Sequence, residues 1–358
     1  GRSALHLASM GEGAAAPVVA RLLELGVDPG LADADGRRAV DHAAAGGRWA
    51  LVAALDPAHP LPASVLGGDS ELPPDRPPLE VLREQLAEGR FEGLEPLLQL
   101  VSPAGLGGLL LDGAQPPSPA RIEWLLLNGA DPDVRAEGGD TALLQLLGRG
   151  TSALPAAQAL LRGGASPAGA GGLARFLEAC VREDQAGRAL EQFALELVER
   201  GADVFAPSLA GDPPAALAVR LGWMRLLERL VADGVDLDQR DGHGMTALHL
   251  AAALARELAL KLLVRGGASP AVRAADGQTP LGVALSAGRR DLADWLDWSG
   301  WALPGRPLGE GDLPAAAMAG DAGAVRRLLE LGFPVDATDD KGCTALLRAA
   351  GGGHAEVL

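Results

Sequence analysis

A chain of 358 residues with 48% hydrophobic but only 3% aromatic side chains, and no tyrosine, must fill its core with leucine, alanine and valine. That suits closely packed helices better than an aromatic-rich globule. Its formal net charge of −16 lacks the clustered Lys and Arg that phosphate binding needs, which excludes nucleic acid and anionic membranes as expected partners.

The first predicted element is SALHLASMG from Ser3, a short capped helix. The second unit, DGRRAVDHAAAGGRWALVAAL, places Arg38 where a capping threonine would stand and His42 one position late. Residues 56–78 form a Pro/Gly-rich insertion, expected as a long surface loop because proline lacks a backbone donor and resists helix. Helices resume at LEVLREQLAEG from Leu79, and a weak unit runs to about Val101. The fourth unit carries AQPPSPA before IEWLLLNGADP, a widened loop between its helices. Thr141 opens TALLQLLGRG. The sixth unit is stretched: 39 residues separate the helix starts Ala174 and Pro213, and the excess is expected in longer helices or in the loop around REDQAGRALEQ. Thr246 opens TALHLAA, Thr279 opens TPLGVAL and Thr344 opens TALLRAA, after which GHAEVL reads as the start of a second helix.

These elements share one grammar. Thr246 and Thr279 lie 33 residues apart, as do Gly201, Gly234, Gly267 and Gly300, three of which open the turns GADV, GVDL and GASP. Thr or Ser before an apolar run caps a helix, because its oxygen accepts from an orphan backbone N–H. Glycine after a leucine-rich run stops one, because it adopts the left-handed conformation without steric cost. Each unit is therefore a turn, a helix, a short loop and a longer helix. One such pair exposes apolar surface on both sides, so its neighbours must supply the rest of the core.

The TALHLAA, SALHLA and TPLGVAL stretches with GAD-type turns on a 33-residue period resemble the ankyrin repeat family. The resemblance implies an all-α solenoid of stacked helix-turn-helix units, ten to eleven counting degenerate and partial ones. Residues 1–55 hold repeats 1 and 2 (the first incomplete), 56–78 the insertion, and 79–358 repeats 3 to 11 (the last incomplete). It also implies that His6 and His249 hydrogen-bond the turns of adjacent units. Neither end carries a polar capping unit, so the sequence reads as a piece of a longer array. The Ala/Gly/Arg-rich usage points to a GC-rich bacterial source.

Motifs for chemistry are absent: no HExxH, P-loop, GxSxG or Cys/His cluster at ligand spacing, and Cys180 and Cys343 have no paired spacing. No cofactor, metal or catalytic residue is assigned. No apolar run is long enough to span a membrane, so direct membrane insertion is not expected of this segment. His59 lies in the insertion, His354 follows glycine, and His243 sits in a finger where it can face a partner. Trp124 and Trp295 take core-leucine positions, Trp301 replaces the alanine of a GAD turn, and Trp298 is expected on the outward side of its helix, exposed.

In the ankyrin family partner contacts come from finger tips and from the inner, concave face of the first helix. The resemblance maps these onto Arg37, Glu137, Asp140, Arg149, Arg182, Asp212, Arg220, His243, Met245, Leu254, Gln278, Glu310, Met318, Asp340 and Lys341, with Trp298 as a further contact. Mixed charges among apolar residues favour another protein or a peptide over a polyanion. The expected function is a non-enzymatic interaction module or scaffold. The alternative is a regulatory or targeting segment of a larger enzyme or bacterial effector whose catalytic domain lies outside these residues. Oligomeric state is not legible in the sequence.

Overall fold

The computed structural model describes residues 1–11, 16–61, 65, 75–111, 116–169 and 171–358. Most of the 56–78 insertion and part of the AQPPSPA loop lie outside the described residues. The described end of the insertion is tied down. The Arg76 N–H donates to the Gly47 carbonyl at 3.0 Å, and the Trp49 indole N–H donates to the Arg76 carbonyl at 3.1 Å.

Among the described residues the chain is all α-helical apart from isolated bridges, with ten successive helix pairs and an eleventh single helix. Two compact units form, one from residues 1–146 and 154–165, the other from 147–153 and 166–358. The first holds α1 (Ala4–Met10), α2 (Ala16–Glu24), α3 (Ala39–Ala45), α4 (Trp49–Leu55), α5 (Pro78–Ala87), α6 (Glu95–Leu98), α7 (Pro103–Leu111) and α8 (Pro119–Leu127). The helix α9 (Ala142–Arg149) runs across the boundary, and α10 (Leu154–Arg162) returns to the first unit. The second holds α11 (Gly172–Arg182), α12 (Arg188–Glu199), α13 (Pro214–Leu221), α14 (Met224–Ala232), α15 (Ala247–Ala253) and α16 (Glu257–Arg265). It continues with α17 (Pro280–Ser286), α18 (Arg290–Leu296), α19 (Asp312–Met318), α20 (Ala322–Glu330) and α21 (Ala345–Gly352).

Within each unit the helices obey the sequence grammar. Thr246, Thr279 and Thr344 cap α15, α17 and α21 by accepting from the backbone N–H three residues on, and Ser118 does the same for α8. The leucine two residues after the cap position is fully buried as Leu5, Leu143, Leu248 and Leu313. Leu281 is only half-buried, and Leu346 on α21 is exposed. The stretched unit places its excess in its helices: α11 has 11 residues against 7 in the first helices α15 and α17, and α12 has 12 against 9 in the second helices α14 and α16.

Two expectations change. GHAEVL does not begin a second helix: Val357 donates to the His354 carbonyl to close one turn, and His354 Nε2 hydrogen-bonds the Met318 carbonyl at 3.1 Å. Trp298 is buried, at 7% exposure. The helix α18 ends at Leu296 and the backbone at Asp297 is extended, so helical phase does not carry through to residue 298. The chain turns back and sets the Trp298 ring 5.7 Å from Trp295 and 6.2 Å from Trp301, with the Arg327 guanidinium 5.2 Å above it.

Around this cluster the second unit departs from simple nearest-neighbour stacking. Residues 297–311 run back beside α16, where Leu308 N–H donates to the Arg265 carbonyl at 2.9 Å. Arg265 in turn donates to the Leu331 carbonyl at 3.2 Å, past the intervening helix pair. Lys261 pairs with Glu330 at 3.5 Å and lies over the Trp295 ring, whose N–H donates to the same Glu330.

Candidate functional site

The fingers that precede the first helices are built from one turn. Its first residue is Asp33 or Ala136 in the first unit and Ser208, Asp241, Ala274 or Asp339 in the second. In each, that residue's N–H donates to the carbonyl four residues on, and a glycine three residues on donates back. Four of these fingers are closed at the base by an antiparallel bridge, such as Arg240 with Thr246. Where the first residue is aspartate, one carboxylate oxygen also accepts from the backbone two and four residues on. Asp241 thus holds His243 (3.0 Å) and Met245 (2.8 Å), and Asp339 holds Lys341 (2.9 Å) and Cys343 (3.0 Å). The finger tip is rigid because its donors are used up internally.

The second carboxylate oxygen recruits a cation. Asp241 takes the Arg220 guanidinium at 2.6 Å, and Arg220 also approaches Asp212 at 3.6 Å. Asp212 accepts from the Gly242 N–H of the next finger at 2.9 Å. Asp212 is buried, so its assignment to a contact surface is corrected: it and Arg220 lock two consecutive fingers together. Asp339 is held in the same way by Arg348. Hydrogen bonds from the Cys343 backbone and from Arg348 hold its carboxyl below the usual range. In the first unit His42, displaced by one residue, turns to its own finger and bonds Asp33 at 2.8 Å. That bond and the Arg37 backbone N–H bring the Asp33 carboxyl down to about 2.

The motif histidines link successive units. His249 Nδ1 accepts from the Thr246 N–H at 3.2 Å, so Nε2 carries the proton and donates to the Gln278 carbonyl at 3.1 Å. His6 repeats this with Ser3 and the Arg37 carbonyl, at 3.1 and 2.9 Å. Burial lowers the His249 pKa, which keeps the ring neutral for this bond. Arg37 and Gln278 are therefore anchored through their carbonyls while their side chains stay exposed.

The other expected contacts fall as follows. Glu137, Arg182, His243, Leu254, Gln278, Glu310, Met318, Asp340 and Lys341 are exposed, and Asp140, Arg149 and Met245 are half-buried. Arg182 is also tied to the Gly148 carbonyl at 3.1 Å. Met318, Asp340 and Lys341 come together on the wall of a groove of about 240 Å³, floored by Pro314 and Ala315 and flanked by Arg348. Leu254, Leu285 and Met318, exposed near the C-terminal ends of α15, α17 and α19, supply apolar surface in three consecutive pairs.

Sequence reasoning missed Arg348 in that groove, and it missed Phe205 and Leu209, exposed by 60% and 83% around the finger at 208–212. The signal was there in two large apolar residues inside DVFAPSLAGD, but that finger lies in the stretched unit and lacks the threonine that marks register. Trp124 is half-buried and meets Phe91 at 6.5 Å; Trp295 is buried as expected. Cys180 is buried, and its thiol is pushed up to about 12, which makes it a packing residue with little thiolate character. Among the described residues no three His, Cys, Asp or Glu side chains converge as metal ligands, and no helix is long and apolar enough to cross a membrane.

Consecutive helix pairs, six of their first helices preceded by the same closed turn, define a class of helical repeat protein. Residues 215–297 match the family model for ankyrin repeats in three copies, and residues 313–358 match that for ankyrin repeats in many copies. The chain is 39% identical over 82 residues to a putative ankyrin repeat-containing protein of Treponema pallidum (strain Nichols), covering 23% of this chain and 27% of that one. It is 39% identical over 88 residues to the SH3 and multiple ankyrin repeat domains protein 2 of Homo sapiens, covering 24% of this chain and 5% of that one. The crystal structure of the ankyrin repeat domain of Bcl-3 superposes with a TM-score of 0.41 at 20% identity, over 60% of this chain and 98% of that one.

Residues 215–297 and 313–358 are thus similar to ankyrin repeats, and the aligned stretches span about a quarter or less of the curated relatives they match. Ankyrin repeats are in general protein–protein interaction modules and typically non-catalytic scaffolds.

Proposed function

We propose that this chain is a non-enzymatic module that binds another protein or a peptide through its finger tips and the exposed ends of its first helices. The observation that carries this reading is the groove in which Met318 meets Asp340 and Lys341, continued by exposed Leu285 and Leu254 on neighbouring pairs. An apolar strip rimmed by charges of both signs matches the composition of protein interfaces. The fingers reach it already ordered, so little entropy is lost on binding.

Affinity capture followed by quantitative mass spectrometry tests it. Met245→Asp with Met318→Asp is expected to deplete the partners recovered by the unaltered chain, while Leu127→Asp, an exposed residue of the first unit, leaves recovery unchanged. Equal recovery from both variants, each shown to be folded by circular dichroism, would overturn the proposal.

A second reading is a targeting or regulatory segment within a larger protein. It is supported by the small share, 5% and 23%, that the aligned stretches occupy in the SH3 and multiple ankyrin repeat domains protein 2 and in the ankyrin repeat and SOCS box protein 16 of Mus musculus. Sequencing through both flanks of the coding region distinguishes the two readings.

A further inference from the structure

The second unit carries a cavity far along the helices from the fingers, at the loops between the two helices of each pair. It encloses about 210 Å³ between the α13–α14 and α15–α16 loops, with Ala218, Val219, Met224, Leu227 and Ala259 as apolar lining and Leu258 on the rim. Leu258 is 71% exposed in the first turn of α16, just before the buried Ala259 and Leu260. The space exists because residue 222 is glycine in the left-handed region; the Arg256 guanidinium lies across it, 2.8 Å from where a Cβ would stand.

On the rim Glu257 pairs at 3.0 Å with Lys261, a lysine it shares with Glu330 at 3.5 Å. Arg256 is exposed and makes no ion pair among the described residues. The backbone is also under tension there: Ala255 is held at φ +53°, a left-handed conformation costly for alanine, on the loop that carries Arg256. An apolar-lined pocket, an exposed leucine and an unpaired guanidinium together specify a ligand with a branched apolar side chain next to a carboxylate.

We infer that this loop edge is a second docking site, for an acidic, leucine-containing linear segment of a partner protein. Its lining shares no residue with the Met318 groove, and it adjoins the finger-edge strip only through Leu254, which precedes Ala255. The chain's net charge of −16 attracts cations at long range. Within a Debye length of about 8 Å at physiological salt, however, the nearest charges dominate, and here the uncompensated one is Arg256.

Three of the four methionines report on the two edges: Met224 lines this cavity, whereas Met245 and Met318 sit on the finger side. In the full chain labelled with ¹³C-methyl methionine, acetyl-DELLED-amide is expected to shift the Met224 methyl saturably and to leave Met245 and Met318 in place. Arg256→Glu is expected to weaken that binding by roughly fivefold, the scale of a half-exposed ion pair. Leu258→Asp is expected to weaken it by about tenfold or more. Unmoved Met245 and Met318 signals in both variants certify that each is folded. The proposal is overturned by any of four results. Met224 does not respond; acetyl-KRLLRK-amide binds more tightly; Arg256→Glu has no effect; or Met224 shifts with protein concentration alone, which would assign the cavity to a second copy of this chain. A response confined to Met245 and Met318 would likewise overturn it while leaving the finger-edge reading intact.

Discussion

His249 is neutral, buried and bonded at both nitrogens, and this makes its contribution pH-dependent in a definite direction. The unfolded imidazole titrates near 6.5 and the folded one lower, so between those values the unfolded chain binds more protons. Stability from this group is complete above about pH 6.5 and is lost as pH falls through the lowered folded value. Urea midpoints measured from pH 8 to pH 5 are expected to show this fall, and His249→Gln to flatten it. The left-handed Ala255 gives a second expectation. Glycine occupies the corresponding loop position at Gly222, Gly288 and Gly320, with φ of 73°, 72° and 75°. Ala255→Gly is therefore expected to stabilise the chain by about 0.5–1 kcal/mol, relief of strain outweighing the added freedom of the unfolded chain. Arg220→Met keeps the bulk of the side chain but strands two carboxylates that are 0% and 11% exposed. A loss of about 2 kcal/mol is expected, at the low end for breaking a buried pair because Arg220 itself is partly solvated. The threonine caps were legible from recurrence, because capping is local, and the histidine links followed from the resemblance to ankyrin repeats. The roles of Arg220 and Asp212 were not, because they depend on which finger stands opposite.

The finger is the element in which sequence and structure agree most closely, and glycine is the reason. At Gly244 the backbone sits at φ +79°, and a Cβ would come within 2.5 Å of the Ala275 Cβ. Gly244→Ala is accordingly expected to lower the urea midpoint, with a cost of about 2 kcal/mol from strain and overlap together, and to weaken partner capture by reorienting His243 and Met245. Reading failed where an element was extended past its end. Trp298 was placed by helical phase two residues beyond the last turn of α18, and phase carries no information once the backbone becomes extended. Trp298→Ala is expected to cost about 3 kcal/mol or more, as core tryptophans do, where an exposed indole would cost little. Helices without a strong cap signal, such as those between 79 and 127, could be located but not phased. Their turns use proline and serine where the clear units use threonine and histidine.

At the scale of the whole chain, a count of ten to eleven units was readable because the period survives in most of the turns even where the helices diverge. What stayed hidden was how unevenly burial is shared. The helix α2 buries only Val19 and α6 only Leu97, whereas all of α13 except Arg220 is buried. Hydrogen exchange is expected to be fastest in α2 and α6 and slowest across α13–α16. The reach of Arg265 to the Leu331 carbonyl adds a term that adjacent-neighbour accounting omits. In a chain of independent couplings, one repeat can be duplicated or dropped at the cost of a single interface. Here the eighth and tenth pairs grip each other around the ninth, so these three behave as one cooperative block. Deletion of a repeat is therefore expected to be tolerated on either side of that block and to unfold it from within, so that Ala247 to Glu330 exchanges between arrays only as one piece.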